Sequence, residues 1–189
     1  MTGARALILI DIQQGFDSPD WGARNNPGAE ANAARLLTHW RANFWPVIHV
    51  RHMSTTPGSP LNPDGGNVAF KPEVAPLTGE PVMTKRVNSA FIGTQLEPRL
   101  HSANVTALTI CGLTTPHCVS TTTRMAANLG FQVDLVHDAC AAFSANADAS
   151  WRDGPATDPE LIHQSALDQL NGEFARLITT DEALTPGIA

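Results

Sequence analysis

Six short runs of Val, Ile, Leu and Ala recur along the chain as unbroken apolar stretches, without the alternation of a strand that faces water on one side. Unbroken runs mark strands covered on both faces, and strands that alternate with helices are joined in parallel by crossovers. The runs are Ala6–Asp11, Val47–Arg51, Val82–Lys85, Val105–Cys111, Gln132–His137 and Arg176–Thr179. Helical segments fall between most of them. Ala29–Phe44 carries Ala33, Leu36, Leu37, Trp40 and Phe44 at helical spacing behind the start signal Asn26-Pro27. Thr94 with Glu97 predicts a capping box before a short helix. Pro116–Leu129 is predicted to run from an N-cap at Thr115 to a stop at Gly130, and a last helix from about Asp158 to Leu170. The pattern predicts an α/β domain, doubly wound, with helices on both faces of a parallel sheet.

A chain of 189 residues and 20.1 kDa buries one sizeable core and rarely splits, and no repeat or composition shift marks a linker, so a single domain over 1–189 is expected. The irregular stretches are the Pro-, Gly- and Ser-rich loop between Met53 and Val82 and the segment Ser144–Pro159, which holds Trp151. A net charge of −6 with only two lysines, Lys71 and Lys85, leaves no basic footprint for nucleic acid. No apolar run approaches the roughly 18 to 20 residues that cross a bilayer, and the opening MTGARALILIDIQ meets an acid too early for a secretory signal, so a cytoplasmic protein is expected. Cys111, Cys118 and Cys140 form neither an even set nor a Cys-x-x-Cys pair, and read as reduced thiols.

Ligands of an open parallel sheet sit outside the carboxyl ends of its strands. Asp11 closes one run, Lys85 closes another, and Cys118 lies just past a third in the first turn of the next helix, so parallel strands would bring all three to one edge. Asp11 could equally cap a turn and Lys85 be a solvated charge. Cys118 falls at the third helical position, where free N–H groups and the helix dipole favour a thiolate near neutral pH.

The blocks ALILIDIQQGF, TKRVNSAF and TICGLTTPHCVSTTTRMAANLGFQVDLVHDACAAF resemble those of the isochorismatase-like cysteine hydrolases, among them nicotinamidases and N-carbamoylsarcosine amidase, over about Arg5 to Asp181. The resemblance implies a Rossmann-like sheet of six mainly parallel strands and a catalytic triad of Asp11, Lys85 and Cys118. It implies a cis peptide at Leu113-Thr114 and an oxyanion hole made by the Thr114 and Cys118 N–H groups. The implied reaction is hydrolysis of a C–N bond in a small molecule through a Cys118 thioester. The family's metal-binding members carry Asp-x-His after the second strand, whereas this chain has Arg51-His52-Met53; no metal or other cofactor is expected, and His49, His52 and His117 read as structural. True isochorismatases lack the cysteine.

Phe16, Trp21, Phe91 and Trp151 are candidates to line an apolar substrate pocket, and Arg51 to meet a substrate carboxylate. The resemblance implies a homodimer or homotetramer; Ser120, Thr123, Ala126 and Ala127 offer a small-residue face for another helix or for the chain's own sheet. Two other classes are open. A redox thiol at Cys118 needs a resolving cysteine, for which neither Cys111 nor Cys140 has a positional claim, and a non-catalytic binding module is expected to have lost part of the triad.

Overall fold

The computed structural model describes residues 4–155 and 157–185, so the expected domain over 1–189 reaches past the described residues at both ends. Its strands are β1 (Ala4–Ile10), β2 (Val47–His52), β3 (Val82–Lys85), β4 (Val105–Leu113), β5 (Gln132–Ala141) and β6 (Arg176–Ile178). They form one sheet in the order β3-β2-β1-β4-β5-β6, and every neighbouring pair is parallel. The sheet is thus wholly rather than mainly parallel. Leu7, Ile8 and Ile10 of the central β1 are fully buried, which requires cover on both faces. Each such side chain contributes about 1.5–3 kcal/mol of transfer free energy.

The chain winds outward from β1 to β3, returns to β4 beside β1, and winds the other way to β6. That reversal opens a crevice at the carboxyl ends of β1 and β4. Gly112 allows the two strands to meet there. Its φ is 131°, and a Cβ at this position would overlap the Ile10 carbonyl oxygen.

The helices are α1 (Ala29–Ala42), α2 (Leu96–Ser102), α3 (Ser120–Asn128), α4 (Pro159–Asp168) and α5 (Thr180–Ala183). α1 buries Ala33, Leu36, Leu37 and Trp40 as its spacing predicts. Phe44 breaks the pattern: it lies past the helix end at φ 56° and is 95% exposed. The Thr94–Glu97 box does not form, because Thr94 Oγ1 accepts from the Leu96 N–H while Glu97 turns toward His101. A capping box does form at Thr179, read from sequence as strand: its Oγ1 accepts from the Glu182 N–H, and Glu182 Oε2 accepts from the Thr179 N–H. Ser120, Thr123 and Ala126 are buried, Ala126 within the chain's own core, while Ala127 is half-buried.

The long loop after β2 is tied down across the end of the sheet. Gln13, fully buried, donates to the His52 and Val68 carbonyls at 3.0 Å each and accepts from the His52 N–H at 2.7 Å. Farther along, Lys71 Nζ bonds Asp17 at 2.6 Å and Glu30 at 2.8 Å, and Arg24 grips the same Glu30.

Candidate active site

β1 delivers Asp11 one residue past its end, with φ 51° and its N–H bonded to Val50 O at 2.9 Å. Lys85 is the last residue of β3, at the sheet edge. Its register partner on β2 is His52, and its long stem crosses that strand to reach Asp11. Cys118 does not stand in a regular helical first turn as predicted. It sits in a wide π-type turn, Thr115–Val119, capped by Thr114, where the Val119 N–H reaches back to Thr114 O at 3.2 Å. Such turns concentrate at functional sites. The Leu113–Thr114 peptide is cis. No acceptor is found for the Thr114 N–H among the described residues.

The three side chains converge on the Lys85 ammonium, which lies 2.5 Å from Asp11 Oδ2, 3.2 Å from Cys118 Sγ and 2.9 Å from His52 Nδ1. Asp11 and Lys85 have no exposed side-chain surface. Asp11 Oδ1 has no partner among the described residues and remains free to accept a proton. An ammonium only donates, so the bonded Nδ1 of His52 is its unprotonated nitrogen and Nε2 carries the hydrogen. Burial, reinforced by Lys85, holds the His52 imidazole down at about 4, so it is neutral.

Burial raises Asp11 above the ordinary carboxylate range against the pull of Lys85. Burial, and then the Asp11 charge, push the Cys118 thiol up to about 12. This corrects the thiolate expected from the helix terminus. At rest the sulfur keeps its proton, and a strengthened base stands beside it. Cys111 and Cys140 are also raised, chiefly by burial, but are fully buried in the core, with Cys140 Sγ donating to Val136 O at 3.3 Å. Neither takes the place of a resolving thiol.

A cleft of about 140 Å³ opens over Cys118. Phe16, Trp21 and Leu61 form its apolar wall, with the Phe16 and Trp21 rings 4.9 Å apart, and His52, Asn88, Thr114, His117 and Asn146 also border it. Three expected contacts lie elsewhere. Strand alternation sends Arg51 to the face opposite His52, where its Nε donates to Thr84 Oγ1 at 2.9 Å. Phe91 packs in the core against Phe131, with centroids 6.1 Å apart, and Trp151 is 81% exposed. His52 and His117, which read as structural from the sequence, border the cleft, as do Asn88 and Asn146, to which the sequence assigns no role. For His52 a signal existed, since β2 ends at the same edge as β1 and β3. A larger hollow, about 440 Å³, lies by Val47 and Val105 at the opposite ends of the strands, away from the three converging side chains.

Asp11, His52 and Cys118 offer ligand atoms within 4.8 Å of one another. A divalent metal does not fit this set, because the Lys85 ammonium already bonds all three residues and would be driven against a second cation.

A doubly wound parallel sheet that gathers Asp11, Lys85 and Cys118 at its switch point is an α/β fold with a candidate site at its carboxyl edge, and the family match gives its class. An isochorismatase domain matches residues 5–182, and the chain belongs to the isochorismatase family of hydrolases. It is 45% identical over 186 residues to the uncharacterised isochorismatase family protein YrdC of Bacillus subtilis, covering 97% of this chain and 96% of that one. The crystal structure of an isochorismatase-family protein from Chromobacterium violaceum superposes with a TM-score of 0.89 at 42% identity, covering 96% and 92% of the two chains. A streptothricin hydrolase of Streptomyces noursei is 33% identical over 177 residues, covering 92% of this chain and 62% of that one. Among the described residues no helix is long and apolar enough to cross a membrane.

Proposed function

We propose that the protein is a cysteine-dependent hydrolase of a C–N bond in a small molecule, with Cys118 as nucleophile, Asp11 as proton carrier and Lys85 as the charge that holds them together. The observation that carries this is the buried Lys85 ammonium shared between the Asp11 carboxylate and the Cys118 sulfur at the floor of an open cleft. The similarity to a streptothricin hydrolase supports hydrolytic chemistry.

As the sulfur attacks a carbonyl carbon, its proton passes to Asp11, whose raised affinity suits it to receive one. The thiol therefore needs no standing negative charge. The carbonyl oxygen becomes an oxyanion facing the Thr114 and Cys118 N–H groups; removing one such donor typically costs about 2.7–4 kcal/mol of barrier. Asp11 then protonates the leaving nitrogen, the C–N bond breaks, and a thioester is left on Cys118. Water, deprotonated by Asp11, releases the acid and restores the thiol.

The reading is tested by following ammonia release across a panel of small primary amides and ureides. Turnover that vanishes in Cys118→Ala while the circular dichroism spectrum is kept supports it. Turnover that survives this substitution refutes it.

A further inference from the structure

The cleft is rich in hydrogen-bond donors and poor in charge. Its polar side chains other than Thr114 and Cys118 are His52, Ser54, Ser59, Asn88, His117 and Asn146, and no acid, lysine or arginine borders it among the described residues. His52 and His117 are both held below the ordinary histidine range, chiefly by burial, so neither supplies a positive charge at pH 7. Lys85 at the floor has no exposed side-chain surface and is committed to Asp11. Arg51 points to the other face of β2, and Arg24 is held by Glu30.

The donors are specific. Asn146 is 8% exposed, and its Oδ1 accepts from the Phe143 N–H at 2.9 Å, which fixes Nδ2 as the other end of the amide. That Nδ2 has no partner among the described residues. Ser54 Oγ accepts from the Thr56 N–H and Ser59 Oγ from the Leu61 N–H, each at 3.2 Å, so both hydroxyl protons are free to donate. His52 Nε2–H is a further donor. Ser54 and Ser59 are half-buried at the cleft, and a carbonyl oxygen is the neutral group that accepts from such hydroxyls.

Donors alone would also accept a carboxylate. Here, however, an anion would enter beside Asp11 and the attacking sulfur, where the one nearby cation, Lys85, is already paired with Asp11 and has no exposed surface, and a buried charge without a partner of its own is strongly disfavoured. We infer that the cleft takes an uncharged small amide or ureide, recognised through the free Ser54 and Ser59 hydroxyls, and rejects carboxylate-bearing analogues. This rests on Cys118 being the nucleophile proposed above.

Iodoacetamide and iodoacetate alkylate sulfur by the same displacement and differ in bearing an amide or a carboxylate, so they separate the two readings without a known substrate. The rate of Cys118 alkylation by each is followed by peptide mass spectrometry on the full chain and divided by the rate of the same reagent with glutathione at the same pH. A corrected preference for iodoacetamide of about tenfold or more is expected. Ser54→Lys, which places a cation in the cleft, should lower that preference severalfold. A smaller preference in the unaltered protein, any preference for iodoacetate, or a preference that a folded Ser54→Lys leaves unchanged overturns the neutral-substrate assignment while the nucleophile stands. Failure of both reagents to modify Cys118 overturns the hydrolase reading and this inference together.

Discussion

The chain has two lysines, and both are buried against carboxylates, yet their surroundings differ in what is left unsatisfied. Lys71 divides its bonds between Asp17 and Glu30, Arg24 takes the rest of Glu30, and no thiol stands near. The result is a closed knot that pins the loop after β2 to α1. Lys85 has one carboxylate, and Asp11 keeps an oxygen with no partner, next to a sulfur that borders an open cleft. A buried lysine shared among carboxylates that hold a loop to a helix thus reads as structural. In the function proposed above, a buried ion pair becomes reactive where one proton acceptor is held in reserve beside a nucleophile.

The largest expected effect breaks the Lys85 cluster. Cys118→Ala should lower kcat/KM by about 10⁴-fold or more, and Asp11→Asn or Lys85→Met by about 10³-fold or more, with losses that do not add because the three act as a unit. Steady-state kinetics on single and double variants checks this; Lys85→Met at near full rate would make Lys85 a spectator.

Lys71→Met should do the reverse. Glu30 keeps Arg24 and Asp17 is largely exposed, so losing the Lys71 bonds should cost about 1.5–3 kcal/mol in urea unfolding, while the rate of the folded protein stays within about tenfold. A comparable collapse in rate would erase the distinction between the two lysines.

The clusters should also separate in pH. Arg24 and Lys71 outweigh the burial of Glu30 and hold it at about 2, where an unfolded glutamate titrates near 4.5. Its contribution to stability, up to about 3 kcal/mol, is complete above about pH 4.5 and is lost as pH falls through about 2. Activity should fail earlier on acidification. Asp11 must be ionised to receive the thiol proton, and its affinity is raised above the ordinary 3.8, so the acid limb of kcat/KM should lie above that pH while the fold persists. Coincident loss of rate and ellipticity would contradict this. The smallest effect is a null one: with Lys85 filling the only three-ligand cluster found among the described residues, dialysis against a chelator should leave the rate unchanged.

Much of this was legible in the sequence, for stated reasons. Unbroken apolar runs gave the strands to within a few residues because both faces of the sheet are covered, and the strand-end rule picked out Asp11, Lys85 and Cys118 because parallel strands share one carboxyl edge. Local signals decided less. Phe44 has helical spacing but follows the residue that closes α1, and Thr179 looks like strand yet caps a short helix. Arg51 and His52 are neighbours in sequence and sit on opposite faces of β2, so only the register with Thr84 and Lys85 tells which one reaches the site. The helix position of Cys118 alone points to a thiolate, whereas the site buries the sulfur beside a carboxylate. Burial and the Asp11 carboxylate outweigh the local dipole there.

The central claim is that Cys118 carries the acyl group while Asp11 moves the proton. It is tested most directly by acid-quenching the enzyme during turnover of the best amide in the panel and weighing the peptide that contains Cys118. The account predicts an adduct with the mass of the acyl fragment on that cysteine, present in the unaltered protein, absent from Cys118→Ser, and discharged by hydroxylamine. Ammonia released at the same rate with no adduct formed in pre-steady-state quenching, or an adduct on Cys111 or Cys140 instead, would contradict it.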